Sequence, residues 1–188
     1  MTLGPAFDQV LSAAQANAGW AFTRLYESLA PRVAGYLRAS GVADAEDLTS
    51  EVFLAVFRGI GTFSGGEAQF RSWVFTIAHH RIVDHRRARA RRPWVGPLDE
   101  GGDAEPTQPG AESAEAGALA TLGTERVQRL LDGLAPDQRD VLALRVVADL
   151  TVEQIAEALG KSTGAVKALQ RRALVALRRR LAEEAVPL

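Results

Sequence analysis

The sequence predicts an all-α protein made of two small helical domains joined by a flexible acidic linker. Three observations predict it. Apolar residues recur at spacings of three and four in both halves, and nothing resembles an alternating strand pair joined by a turn. Charge is laid out in blocks, basic then acidic then basic, although the net charge is only -1. The acidic block, Pro93 to Thr124, holds Asp99, Glu100, Asp103, Glu105, Glu112 and Glu115, no Lys or Arg, and few large apolar residues. Such a stretch cannot bury enough surface to offset its ordering entropy. The expected boundaries are an N-terminal extension over 1–19, a first domain over 20–92, the linker over 93–124 and a second domain over 125–184.

In the first domain, "AFTRLYESLAPRVAGYL" carries Phe22, Leu25, Tyr26, Leu29, Val33 and Leu37 at helical spacing, with Pro31 marking a kink or break. Gly41 ends that segment. Asp44 is the expected N-cap of "AEDLTSEVFLAVFRGI", in which Leu48, Val52, Ala55 and Val56 form one stripe while Glu46 and Asp47 favour the first turn. The stretch "GTFSGGEAQ" is a loop. It leads into "RSWVFTIAHHRIVDHRRARARR", apolar at its start and strongly cationic at its end, where Asp84 is the one acid among Arg71, Arg81, Arg86, Arg87, Arg89, Arg91 and Arg92.

In the second domain, "TERVQRLLDGL" reads as one helix, and Pro136 opens another with Val141, Leu144 and Val147 inward. Thr151 with Gln154 has the capping-box pattern and starts "VEQIAEAL", and Gly160 supplies the left-handed residue that closes it. Ser162 then caps a long final helix reaching to about Glu184. Two helices joined by a tight glycine-containing turn, the second basic, make a helix-turn-helix.

Composition removes several function classes. No run of apolar residues is long enough to span a bilayer, and the start "MTLGPAFDQVLSAAQANAGW" lacks a basic signal-peptide region, so a cytoplasmic protein is expected. The absence of cysteine removes disulfides, thiolate metal sites and cysteine nucleophiles. No carboxylate or histidine cluster has convincing catalytic spacing, and no catalytic residue, metal or cofactor is expected. His79, His80, Asp84 and His85 could be read as metal ligands, since His80 and Asp84 lie one turn apart, but the spacing is not HExxH and serves an intrahelical hydrogen bond equally well.

The final helix separates Val166, Leu169, Ala173, Leu177 and Leu181 from Gly164, Lys167, Ala168, Arg171, Arg178 and Arg179 at about 100 degrees per residue. Cations there reach phosphates and base edges, and small residues let the backbone approach the groove. Ser162, Thr163 and Lys167 are placed to contact bases or nearby phosphates, while Arg171 and Arg172 grip the backbone. The plain alternative is an amphipathic helix with an arginine-rich solvated face. The capped short helix and Gly160 argue for the DNA-binding unit.

Taken together, "DAEDLTSEVFLAVFRGI", "TFSGGEAQFRSWVFTIAHHRIVDHRRARAR", the acidic linker and "LAPDQRDVLALRVVADLTVEQIAEALGKSTGAVKALQRRAL" resemble, in that order, an extracytoplasmic-function sigma factor of bacterial RNA polymerase, of the sigma-70 family. The resemblance covers about Trp20 to Leu181 and implies two domains, sigma2 and sigma4. It implies that Asp44, Asp47, Leu48, Glu51, Phe53 and Phe57 dock on the clamp helices of the beta-prime subunit, and that sigma4 meets the beta flap. It implies that the loop holding Phe63, Ser64 and Gln69, with Phe70, receives a base flipped from the minus-ten element, while His80, Arg81, Asp84 and Arg87 hold the upstream edge. Ser162, Thr163, Lys167, Gln170, Arg171 and Arg172 would read the minus-thirty-five element. The linker would run through the RNA exit path. Partners implied are core polymerase, promoter DNA and an anti-sigma factor, without membrane insertion.

Trp73 reads as a core aromatic rather than a platform for single-stranded DNA, because its neighbours are apolar. The chain departs from the family at Ser50, where Gln is usual, and in the recognition helix, where Ala168, Leu169 and Gln170 replace Ser, Arg and Leu. The rival function is a stand-alone helix-turn-helix regulator, which leaves the segment from Asp44 to Arg92 unexplained.

Overall fold

The computed structural model describes residues 3–91, 127 and 129–184, and among these there is no β-strand. The expected acidic linker lies outside the described residues. The chain opens with a 3-10 turn, Gly4–Ala6, and helix α1, Phe7–Gln15, whose Phe7, Val10, Leu11 and Ala14 are buried at i, i+3, i+4 and i+7. These side chains join the same core as the helices that follow. Residues expected to be an extension therefore fold as part of the first helical unit, because α1 has a continuous apolar stripe and α2 offers it a matching face.

Helix α2 spans Gly19–Ala39 and runs through Pro31 without ending there. Leu29 and Ala30 before the proline and Val33 and Ala34 after it are all buried, so packing on both sides holds the helix across the missing hydrogen bond. Gly41, at φ 81°, turns the chain into α3, Ala45–Gly59. Asp44 occupies the N-cap position, but its side chain makes no capping bond; its backbone, at φ −91° and ψ 59°, is not the extended N-cap geometry. A 3-10 turn, Ile60–Thr62, and an exposed loop lead to α4, Glu67–Arg91, the long helix of this unit.

In the second unit residues 129–132 are helical and precede α5, Pro136–Val146, α6, Val152–Leu159, and α7, Thr163–Glu184. Of the residues expected inward on α5, Val141 and Leu144 are fully buried, and Val147, just past the helix end, packs partly buried against the core. α5 and α6 both pack on α7, with Ile155 and Val166 at full burial.

The two units are not separate. α6 packs on α4 and α5 on α2, and one hydrophobic cluster runs from Tyr36, Phe75 and Ile82 into Val141, Leu144 and Ile155. A bidentate ion pair sits in this joint: Arg86 Nη1 and Nη2 donate to Asp140 Oδ2 and Oδ1 at 2.8 and 2.9 Å, and Nη2 also donates to the Ser40 carbonyl at 3.0 Å. Asp140 is 1% exposed. Beside it the Tyr36 hydroxyl lies 3.0 Å from His79 Nδ1. Burial, then the Asp140 charge, raises the Tyr36 pKa well above its usual value, and burial lowers that of His79, so the neutral form of each is favoured.

Candidate nucleic-acid interface

Helix α3 buries one stripe and exposes another, and this sorts the residues expected to bind polymerase. Asp44, Asp47 and Glu51 are exposed, with Ser50 between them. Leu48 and Phe53 are 7% and 2% exposed and belong to the core, so neither offers a docking surface. Both belong to the core that this helix forms with α2 and α4. Phe57 is half-buried against Phe22, with ring centroids 4.7 Å apart. Leu54, more than half exposed, continues the stripe of Asp47 and Glu51 and is the apolar residue that the face does present. Counting threes and fours onward from Asp47 would have found it. Glu46, also exposed, pairs with Arg38 at 2.7 Å, and that hydrogen bond holds its carboxyl below the usual range.

The loop before α4 is built on aromatic rings. Phe63 stacks on Trp73 at 5.2 Å with 28° between planes, and meets the edge of Phe70 at 5.2 Å. Phe70 in turn touches Phe7 at 5.6 Å and is 1% exposed. This corrects the expectation for Phe70, which forms the floor beneath the loop and cannot meet a base. Phe63 is half-buried, and Ser64 and Gln69 are exposed. Trp73 is half-buried, carrying the stacked Phe63 ring on one side; a Cβ at Gly59 would come within 3.1 Å of its ring.

Along α4, the spacing of three and four puts His80, Asp84 and Arg87 on one exposed stripe, with Arg81 half-buried beside it. Arg86 points the other way, into Asp140, and is unavailable to a phosphate. Among the described residues His80 makes no hydrogen bond to Asp84; the histidine drawn into a polar cluster is His79. From Gln69 to Arg87 the helix climbs about 27 Å, at roughly 1.5 Å per residue. The loop and this stripe therefore lie at opposite ends of one helix.

The second unit holds a helix-turn-helix fixed by local bonds. Thr151 Oγ1 accepts from the Gln154 backbone N–H at 3.3 Å and Gln154 Oε1 accepts from the Thr151 N–H at 2.9 Å, a complete capping box. The backbone N–H at Glu153, and after it that Thr151 side chain, lower the Glu153 pKa. Gly160 stands at φ 61° between the helices, and Ser162 Oγ accepts the Ala165 N–H at 3.2 Å as the cap of α7. Ser162, Thr163, Lys167, Arg171 and Arg172 are exposed and Gln170 is half-buried. Other cations in this block have internal roles: Lys161 pairs with Asp137 at 2.9 Å, and Arg180 donates to the carbonyls of Arg129 and Leu130. What remains is a surface of cations and small polar groups at the start of a helix, suited to phosphates and base edges.

Residues 25–92 match the family described as Sigma-70 region 2, and residues 130–179 match Sigma-70, region 4. The chain is 35% identical over 181 residues to the ECF RNA polymerase sigma factor BldN of Streptomyces coelicolor, covering 94% of this chain and 66% of that protein. It is 34% identical over 186 residues to the ECF RNA polymerase sigma factor SigD of Mycobacterium tuberculosis, covering 93% of this chain and 84% of that protein. Among solved structures, that of CnrH in complex with the cytosolic domain of CnrY is similar in fold, with a TM-score of 0.69 at 22% identity over 96% of this chain and 99% of the other.

Proposed function

The chain belongs to the extracytoplasmic-function sigma factors of the sigma-70 family, and on that premise we propose that it binds core RNA polymerase and directs it to promoters. The observation that carries the reading is the presence of both matched regions in one chain, each on a unit with an exposed cationic face. In this reading the exposed stripe of α3, Asp44, Asp47, Glu51 and Leu54, with Phe57 at its edge, docks on the beta-prime clamp helices, and the second unit meets the beta flap. The loop at Phe63 and Ser64, with Gln69 in the first turn of α4, receives a flipped minus-ten base. A pocket for the base and cations for the strand offset the few kcal/mol that unstacking costs. His80, Arg81, Asp84 and Arg87 hold the duplex edge upstream, and α7 enters the major groove of the minus-thirty-five element through Ser162, Thr163, Lys167, Gln170, Arg171 and Arg172.

The chain supplies positioning and charge, and the polymerase supplies the chemistry. Among the described residues no helix is long and apolar enough to cross a membrane. A dedicated anti-sigma protein covering the polymerase-binding face completes the proposal; copurification that finds the chain always on polymerase and never with an inhibitor counts against it. A stand-alone regulator is less well supported, because the region 2 match spans the whole segment that such a reading leaves idle.

Run-off transcription with purified core polymerase and genomic DNA tests the function. Discrete transcripts that require the protein are the expected result. Duplex binding without polymerase, and no transcript with it, would overturn the reading in favour of a free-standing regulator.

A further inference from the structure

The N-terminal segment brackets the loop that precedes α4 at both of its ends. Gln15, the last residue of α1, donates both hydrogens of its carboxamide to that loop: Nε2 lies 2.8 Å from the Phe63 carbonyl and 3.1 Å from the Ile60 carbonyl. At the far end, the Leu3 and Gly4 N–H groups donate to the two carboxylate oxygens of Glu67, at 2.6 and 2.9 Å. Between these anchors lies "GTFSGG", with Gly65 at φ 144°, a conformation that side chains rarely tolerate. A glycine-rich stretch loses more entropy on ordering than any other, so its shape is set by outside tethers. The Phe63 backbone is held on both sides, its N–H by Ile60 and its carbonyl by Gln15, while its ring rests on Trp73 and Phe70.

We propose that Gln15 is a positioning residue for base selection at the minus-ten element: by fixing the Ile60 and Phe63 carbonyls it sets the direction in which Phe63 and Ser64 meet the base. The inference rests on the reading of this loop as the base-receiving site. Gln15 is itself exposed, and α1 is already anchored by Phe7, Val10, Leu11 and Ala14. Its two bonds therefore matter little to the fold and much to the loop, since a readout site tolerates displacements of only about 0.5 Å.

The test uses the full chain with core polymerase on a promoter located by run-off transcription, carrying each of the four bases in turn at the flipped position. The readout is the rate of open-complex formation, expressed as the ratio of preferred to other bases. Gln15→Leu is expected to lower that ratio roughly 3- to 10-fold, the factor one net hydrogen bond is worth. Gln15→Glu, which sets oxygens against the two carbonyls, is expected to lower it at least as far. Affinity for core polymerase and the thermal midpoint should stay near wild type. An unchanged ratio in both variants, with Ser64→Ala lowering it, overturns the role of Gln15 and leaves the loop reading intact. Equal slowing on all four bases also overturns it, since that is the mark of a merely structural residue. If the wild-type chain shows no base preference there, or Phe63→Ala and Ser64→Ala leave it unaltered, the loop reading itself fails.

Discussion

Asp140→Asn keeps the shape of a side chain that is 1% exposed and removes the charge that holds Arg86. Breaking one partner of a buried ion pair costs about 3–5 kcal/mol when the other charge is trapped. Here the Arg86 side chain is 34% exposed and keeps its bond to the Ser40 carbonyl, so part of the charge can turn to water and the loss falls to about 2–3 kcal/mol. That loss lands on the joint between the two units and leaves the core of each untouched. The assay is a double-mutant cycle in denaturant with Asp140→Asn, Arg86→Met and both, for which a coupling of about 2 kcal/mol is expected. The chain has no cysteine, so dyes on cysteines introduced at Arg58 and Glu157, both exposed, report the separation of the units without background labelling. About 2 kcal/mol shifts the open population by roughly 30-fold, visible as a longer mean distance in Asp140→Asn. Coupling below about 0.5 kcal/mol with an unchanged distance would refute the ion pair as the element that holds the joint.

Burial depresses the His79 pKa, against the pull of Asp140 3.9 Å away and with Arg86 and His80 opposing its charge. The unfolded chain therefore binds more protons below about pH 6.5, so stability is full above that value and declines as pH falls through it toward the folded pKa. In His79→Gln, thermal midpoints should lose most of this slope, although Asp137, Asp140 and Tyr36 also face the site. Phe70→Ala should cost about 3–5 kcal/mol in urea unfolding, whereas Phe63→Ala should cost about 1 kcal/mol yet abolish promoter opening on linear templates. Lys167→Ala should reduce by about one the slope of log affinity against log salt for holoenzyme on its promoter.

Local chemistry was legible in the sequence at the helix-turn-helix, though not at Asp44, whose side chain makes no capping bond. The capping box of Thr151 and Gln154, the left-handed Gly160 and the Ser162 cap stand where the residues called for them, because a cap is a bond between positions three apart. The block charge pattern and helical spacing likewise carried the fold class. The sides of α4 were legible only in part, since that helix is buried against its own unit and against α6, leaving only a narrow exposed stripe. Periodicity could not tell that Phe70 faces Phe7 while Phe63 lies half-open, whereas on α3 it did put Leu48 on the inward stripe, and the family resemblance alone assigned that residue to the docking face.

By itself, then, the sequence determined helices, the caps of the helix-turn-helix and where positive charge is concentrated, all properties of neighbours along the chain. Tertiary structure alone decided which charges remain for DNA. Arg86 is spent on Asp140, 54 residues away, and Gln15 reaches Phe63 across 48. Such pairings depend on how whole helices pack, because a side chain's partner is set by the backbones brought within a few ångströms of it, and no local propensity encodes that distance.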